Sequence, residues 1–201
     1  MLTGMNGSPK PRPRRAAPCL ALAAALVAAG LPGTADAVVD TVPQPCGANV
    51  CLWDKPRIDP PRGWTLDETL SRTTRVSVFT PAQSGVSGAP VVFYARAAKR
   101  EENTKSRDLA TFAAADLDRM LATQLTLGAT ALPDFKVDGA RFLQRRVAAS
   151  TAAGTHETLA YIEDGEYFVT FVLSARTAAD HDRMRPVFER WLRSYKAVAA
   201  L

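Results

Sequence analysis

The fold is decided by TLAYIEDGEYFVTFVLSA, residues 158–175, in which two apolar runs flank an Asp-Gly pair. Asp-Gly between apolar runs is the strongest short-range signal of a β-hairpin, because both residues tolerate the positive φ angles of a tight turn. We therefore expect a turn over Glu163–Glu166. The second strand carries apolar side chains on both faces, for example Phe171 on one and Phe168 on the other. This pattern is typical of a central strand in a sheet that is covered on both sides.

A long amphipathic helix is predicted after the hairpin. Thr177 followed by Asp180 is a variant of the capping box that begins helices. Pro186 interrupts the helix, which is either kinked there or divided into two segments, and the capping residues favour a kink. The stripe that would cover the sheet recurs at three- and four-residue steps: Met184, Val187, Phe188, Trp191, Leu192, Tyr195 and Val198.

Upstream residues extend this sheet and add a second helix. Apolar alternation indicates strands at 65–70, 74–79 and 90–97, then a strand or a bent strand pair around Asp138-Gly139 at 135–147, and a strand at 157–162. A helical period begins at Ser106 as N-cap and ends near Gly128, and Leu132-Pro133-Asp134 is expected to be a loop. The order strands, helix, strands, helix predicts an α+β protein with a central, mostly antiparallel sheet sandwiched by helices. We assign this single domain to residues 62–201.

Residues 1–37 have the pattern of a secretory signal peptide, with basic residues, an apolar run from Cys19 to Leu31 and Ala35-Asp36-Ala37. The run is shorter than the roughly 20 residues that span a bilayer. Since Cys19 begins the run instead of following it, a lipoprotein is disfavoured. We expect cleavage after Ala37 and an exported, periplasmic or secreted protein with no stable membrane span. The mature chain would carry 21 Lys and Arg against 19 Asp and Glu, which does not indicate nucleic-acid binding.

Residues 38–61 form a proline-rich N-terminal arm, in which five prolines are expected to prevent regular structure. Cys46 and Cys51 lie in this arm and are expected to form a disulfide after export. A redox or metal site is disfavoured because the spacing is not Cys-x-x-Cys and no Cys or His partners follow.

Several short segments carry a diffuse resemblance to a known family: Gly63-Trp64, residues 91–96, 108–112 and 137–141, and Tyr167 through Tyr195. On these segments the chain resembles the PsbP-like superfamily, an α/β/α sandwich that includes extrinsic subunits of photosystem II and bacterial envelope proteins. The resemblance implies a binding or assembly module without catalysis. No functional residue of that family can be assigned to a position of this chain.

The sequence contains no catalytic, cofactor-binding or metal-binding motif that we recognise. Gly85-Val86-Ser87-Gly88 only approaches a nucleophile elbow, and no helix is predicted after it. His156 and His181 have no metal-ligand spacing and are expected to be exposed. The acidic residues at Glu163–Glu166 are expected to form a solvated turn, because calcium loops space their ligands over about a dozen residues.

Two groups of residues are candidates for binding a partner. If their strands are neighbours, Arg141, Arg145 and Arg146 could join Arg96, Lys99 and Arg100 in a basic patch; the alternative is a solvated sheet edge. Trp53 is either exposed for binding or packed on the core. The residues that we select as candidates are Arg96, Arg100, Arg141, Arg145 and Trp53.

The sequence therefore predicts a non-catalytic binding or accessory module of the cell envelope, without cofactor, whose partner is an envelope protein. One alternative is an immunity or inhibitor protein against an exported effector, which predicts an exposed apolar or charged patch. Another is a hydrolase with a site around His156. A closed pocket that holds His156 or His181 beside a serine or carboxylate would favour the enzyme, and two solvent-facing histidines would exclude it.

Overall fold

The computed structural model describes residues 38–103, 106–123, 127–137, 139–151 and 153–195. The predicted signal peptide, residues 1–37, and Val198 lie outside these residues. The described residues form three helices, α1 (Glu68–Thr74), α2 (Leu109–Thr123) and α3 (Ala178–Ser194). They also form nine strands: β1 (Val39–Cys46), β2 (Asn49–Pro56), β3 (Trp64–Leu66), β4 (Ser77–Pro81), β5 (Val91–Lys99), β6 (Leu127–Val137), β7 (Ala140–Ala149), β8 (Ala153–Asp164) and β9 (Tyr167–Thr177).

Seven of these strands form one sheet in the order β3-β4-β5-β9-β8-β7-β6. Every pairing within it is antiparallel. Strand β9 lies in the middle, between β5 and β8, as its apolar residues on both faces predict. The predicted α+β class and the predicted β8–β9 hairpin are confirmed.

Helices cover both faces of the sheet. Phe171 points to the face covered by α3, where it packs edge to face against Trp191 at 5.5 Å between ring centroids. Phe168 points to the opposite face and stacks on Phe112 of α2 at 4.6 Å. Leu70 of α1 packs on this second face, over β4 and β5. The sheet is therefore sandwiched between α3 on one side and α1 and α2 on the other.

The tight turn between β8 and β9 is shifted by one residue from its predicted position. Asp164 is the last residue of β8 and pairs with Tyr167, so Gly165 and Glu166 form the turn. Gly165 supplies a positive φ of 57°. Asp164 is 0% exposed, contrary to the prediction of a solvated acidic turn. Its carboxylate faces inward, where it accepts a hydrogen bond from the Tyr195 hydroxyl at 2.6 Å.

Four upstream predictions were wrong. Gly128, near which α2 was predicted to end, lies in β6, and α2 is assigned only to Thr123. The predicted strand at 65–70 is β3 followed by α1, a short helix capped by the Asp67 carboxylate, which accepts from the Leu70 N–H. Asp108, not Ser106, caps α2 and accepts from the Thr111 N–H at 2.8 Å. The predicted loop around Pro133 belongs to β6, where the pairing with β7 shifts register. A proline is tolerated there because β6 is an edge strand.

The N-terminal arm also differs from its prediction. Strands β1 and β2 form an antiparallel hairpin in spite of their prolines, because an isolated two-stranded ribbon leaves each proline nitrogen free to face away from the partner strand. The predicted disulfide joins Cys46 to Cys51 next to the turn, with the two Cα atoms 5.7 Å apart.

Helix α3 begins as predicted. The Thr177 hydroxyl accepts from the Asp180 N–H at 3.1 Å and donates to the Asp180 carboxylate at 2.8 Å. The helix continues through Pro186 to Ser194, so the alternative of two separate segments is wrong. No helix in the part of the chain that the structure describes is long and apolar enough to cross a membrane.

Candidate functional site

An open groove of about 590 Å³ lies on the sheet face between α1 and α2. Its floor consists of side chains from β4, β5, β8 and β9, and the two helices form its walls. Most of its exposed surface is apolar, although half of the residues that line it are charged or are threonines: Leu70, Thr74, Val76, Val78, Tyr94, Arg96, Asp116, Arg119, Met120, Thr123, Glu157, Leu159, Thr170 and Val172. An apolar cleft with a few convergent polar groups is the usual form of a small-molecule site.

The register of the sheet places Thr170 in the floor of this groove. It pairs with Arg96 of β5 on one side and with Tyr161 of β8 on the other. Thr170 is 1% exposed, yet its hydroxyl has no hydrogen-bond partner. A buried hydroxyl without a partner costs roughly 1–3 kcal/mol of stability. Thr170 is also one of the residues that line the open groove.

Both neighbours of Thr170 hold the same carboxylate of α2. Arg96 donates to Oδ1 of Asp116, and the Tyr161 hydroxyl donates to Oδ2 at 3.1 Å. Arg119 also donates to Oδ1, at 3.4 Å. Asp116 is buried, so these contacts replace the water that an exposed carboxylate would bind. Burial, together with this contact to Asp116, raises the pKa of Tyr161 and keeps its hydroxyl protonated.

The opposite end of the floor carries a second carboxyl group. Glu157 of β8 accepts a hydrogen bond from the Ser174 hydroxyl of β9 at 2.7 Å. Burial raises the pKa of Glu157, and the bond from Ser174 opposes that shift. Burial and the nearby Glu157 carboxylate both raise the pKa of Tyr94, so its phenol is neutral at pH 7. This end of the groove therefore offers hydrogen-bonding groups in largely apolar surroundings.

One of the two carboxylates that line the groove is fully engaged. Both oxygens of Asp116 already accept hydrogen bonds, so this carboxylate is not available as a nucleophile or base. Histidine, cysteine, serine and lysine are absent from the described residues that line the groove. The lining as a whole carries two basic and two acidic side chains, with Arg96 and Arg119 beside Asp116 at the α2 end and Glu157 at the other end. The arrangement favours an uncharged ligand with an apolar body.

The structure does not bring the predicted basic residues together in one patch. Strands β5 and β7 are separated by β9 and β8, which places the two strands about 14 Å apart across the sheet. The condition that their strands are neighbours is therefore not met. Three of the arginines contact acidic residues instead: Arg96 contacts Asp116, Arg100 contacts Glu163, and Arg141 contacts Asp134. The Arg145 guanidinium donates to the Gln144 carbonyl at 2.8 Å.

Trp53 is 3% exposed, so the alternative in which it packs inward is the one that the structure contains. Its neighbours on β2, Val50 and Leu52, are 72% and 60% exposed. They pair with Pro45 and Pro43 of β1, which are also exposed. One face of the hairpin thus covers the body of the protein, while its outer face presents four apolar side chains to solvent.

Both histidines are buried, contrary to their predicted exposure. His156 contacts the Arg146 guanidinium at 3.3 Å and the Thr151 carbonyl at 3.1 Å, neither of which is a nucleophile. His181 lies between the Asp182 carboxylate and the Thr158 hydroxyl. This order resembles a catalytic triad, but Thr158 is 1% exposed within a central strand and offers little access to a substrate. A structural role in joining α3 to β8 accounts for the contact.

The groove is not apparent from the sequence alone, although the sequence contains two signals for it. Thr170 is a polar residue inside an otherwise apolar central strand. Asp116 falls on the apolar stripe of α2, four residues after Phe112, where a carboxylate needs buried partners. The partners of both residues lie on strands distant in sequence, so the groove itself depends on the sheet order.

No family model and no curated protein matches the chain. Among solved structures, a Pseudomonas aeruginosa protein of unknown function is similar over 79% of this chain and 97% of its own, with 13% identity and a TM-score of 0.44. The cyanobacterial PsbP of Synechocystis is similar over 83% of this chain and 96% of its own, with 15% identity and a TM-score of 0.44. The second belongs to the family that the sequence resembles. Neither similarity bears on what the groove binds.

Proposed function

We propose that the protein is an exported, non-catalytic binding module of the cell envelope that holds an uncharged, amphipathic small molecule in the groove between α1 and α2. The observation that carries the proposal is the unpartnered hydroxyl of Thr170 in the floor of an open, mostly apolar groove. A ligand that covers the floor would bury apolar surface and satisfy this hydroxyl.

The lining also limits the charge of the ligand. A strongly anionic ligand would meet the Glu157 carboxylate, and a strongly cationic one would meet Arg96 and Arg119. Desolvation of an unpaired charge in such a site is costly. A neutral molecule with one or two hydrogen-bonding groups and an apolar body fits these restrictions best.

A fluorescence titration with Nile red, a neutral dye whose emission rises in apolar surroundings, tests the groove. Thr74 and Thr73 form a matched pair, because both are exposed and each hydroxyl donates to the carbonyl four residues earlier. Only Thr74 lines the groove. We expect Thr74→Trp to weaken dye binding at least tenfold and Thr73→Trp to leave it unchanged.

Equal dye binding by the two variants and the wild type would exclude the groove as the site. Thermal unfolding of each variant shows whether the added tryptophan disturbs the fold. Native mass spectrometry of the protein isolated from the envelope of its own organism then reports the bound molecule, which Thr74→Trp should lose and Thr73→Trp should retain.

The inhibitor alternative is favoured by one observation, the exposed apolar face of the hairpin at Pro43, Pro45, Val50 and Leu52. A protein partner that docks there would bury this face. Cross-linking in the intact envelope through a photoreactive residue at position 52, with the exposed position 118 on α2 as a control, tests this alternative. A specific protein adduct from position 52 alone would support it.

A further inference from the structure

The first described residue, Val38, is bound to the core through both of its main-chain groups. Its N–H donates to Oδ2 of Asp164 at 3.1 Å. Its carbonyl accepts from the Arg57 N–H at 2.9 Å and from the Tyr195 hydroxyl at 3.3 Å. The Val38 side chain packs against the main core cluster. The position of this residue is therefore fixed by several independent contacts.

The group that accepts from Val38 is a fully buried carboxylate. Asp164 is 0% exposed, and the same Oδ2 atom accepts from the Tyr195 hydroxyl at 2.6 Å. Burial, followed by the contact with Asp164, raises the pKa of Tyr195, so the phenol remains a donor. Asp164 ends β8, Tyr195 follows α3 and Val38 precedes β1. One carboxylate thus joins the N-terminal hairpin, the central sheet and the last helix.

Cleavage of the predicted signal peptide after Ala37 would leave Val38 as the first residue. Its amide N–H would then become an α-ammonium group with three donors and a positive charge. Hydrogen bonds between charged groups are roughly twice as strong as those between neutral ones. We propose that the carboxylate of Asp164 is the binding site for the α-ammonium group of Val38, so that removal of the signal peptide locks the N-terminal hairpin onto the folded domain.

The proposal rests on the export proposed above, and it gives the cleavage step a structural consequence. Before cleavage, Asp164 receives a neutral N–H from Val38, and afterwards it receives a cation. The stability that this ion pair contributes depends on pH and is lost at high pH. Since the ion pair raises the folded-state pKa of the ammonium above its usual value of about 8, its contribution is complete below pH 8 and disappears as the pH rises through the raised value. Among the described residues, the Tyr195 hydroxyl and the Arg57 main chain contact Val38, and Tyr167 pairs with Asp164 in the sheet; the Arg57 guanidinium is paired with Asp40.

The test compares two proteins exported from full-length precursors, the natural one and one with a single glycine inserted between Ala37 and Val38. The glycine retains an N–H at Val38 but moves the charge one residue away. Mass spectrometry establishes each N-terminus. We expect the protein that begins at Val38 to melt about 4 °C or more above the glycine-extended protein at pH 7, and the difference to vanish at high pH. In an Asp164→Asn background the two proteins should melt together.

Rates of acylation of the α-amine provide a second readout that does not require Asp164→Asn to fold. We expect the Val38 amine to react at least tenfold more slowly than the amine of the glycine-extended protein. Equal melting temperatures and equal acylation rates would overturn the proposed lock while leaving export intact. An exported protein that begins at another residue would overturn the cleavage site itself, whatever the groove binds.

Discussion

The Nε2 atom of His181 lies 2.8 Å from the Oγ1 atom of Thr158, and this contact joins α3 to β8 in the interior. The Nδ1 atom of the same ring lies 3.0 Å from Oδ1 of Asp182. A neutral ring with its proton on Nδ1 satisfies both contacts, donating to Asp182 and accepting from Thr158. The protonated ring has no acceptor on Nε2 and therefore cannot accept the Thr158 hydrogen bond.

This contact predicts a loss of stability in acid. Burial lowers the pKa of His181, with the nearby Arg146 acting in the same direction and Asp182 opposing it. Because the unfolded histidine binds its proton more readily, the contribution is complete above about pH 6.5 and is lost as the pH falls toward the lowered value. We expect the urea midpoint to fall between pH 7 and pH 5, and to fall less in His181→Asn. An identical pH dependence in the variant would contradict this assignment.

Replacement by valine is expected to change the stability of the protein differently at Thr158 and at Thr170. Each is 1% exposed, but only the Thr158 hydroxyl has a hydrogen-bond partner. Thr158→Val should destabilise the protein by about 1–2 kcal/mol, because it leaves His181 without its donor. Thr170→Val should leave the unliganded protein as stable or stabilise it by up to about 1 kcal/mol. Urea denaturation measures both, and a comparable loss in the two variants would show that Thr170 has a partner.

Short-range patterns predicted the centre of the fold well. The apolar residues on both faces of β9 and along one side of α3 are the residues that the fold buries, so both elements could be predicted from the sequence. The turn was misplaced by one residue because Asp164 is drawn inward by Tyr195, 31 residues away. The seven-residue α1 was missed because its sequence, ETLSRTT, is largely polar and too short for a clear helical period.

The candidate site was harder to predict than the fold. The proposed basic patch depended on β5 and β7 being neighbours, and the order of strands in a sheet cannot be predicted from the local periodicity of the sequence. The groove requires α1 and α2 to stand apart on one face, with β4, β5, β9 and β8 between them. Its key residues, Thr170 and Asp116, are visible in the sequence only as polar exceptions in apolar surroundings. Their partners become known only with the register.

Trp191 is expected to be the most costly single truncation on α3. Its ring lies against four phenylalanines, with centroids 5.1 to 5.9 Å away, and its indole N–H donates to the Asp59 carbonyl at 2.8 Å. Trp191→Ala should lower the free energy of unfolding by about 3–5 kcal/mol. Arg190→Ala, at the exposed neighbouring position, is the matched control and should change it by less than about 0.5 kcal/mol. A loss under about 1 kcal/mol for Trp191→Ala would contradict the packing described here.

The Cys46–Cys51 bridge should stabilise the hairpin more than the domain. It closes a loop of six residues, which in the loop-entropy model corresponds to about 2 kcal/mol. We expect reduction to increase amide hydrogen exchange in β1 and β2 while leaving β8 and β9 protected. Thiol labelling of the exported protein should require a reductant. Equal loss of protection in all four strands would mean that the bridge supports the whole domain.

Asp116 is expected to hold the α2 wall of the groove in place. Asp116→Ala leaves Arg96 and the buried Tyr161 hydroxyl without their acceptor, and we expect a loss of at least about 2 kcal/mol in the free energy of unfolding. Asp118→Ala, on the exposed side of the same helix, removes one carboxylate without these contacts and should change stability little. Asp116→Asn keeps one acceptor oxygen and should lie between them. Nile red binding should weaken most in Asp116→Ala, less in Asp116→Asn and little in Asp118→Ala, because α2 shifts when the contacts of Asp116 are lost. A fully stable Asp116→Ala protein with unchanged dye binding would show that the groove does not depend on this carboxylate.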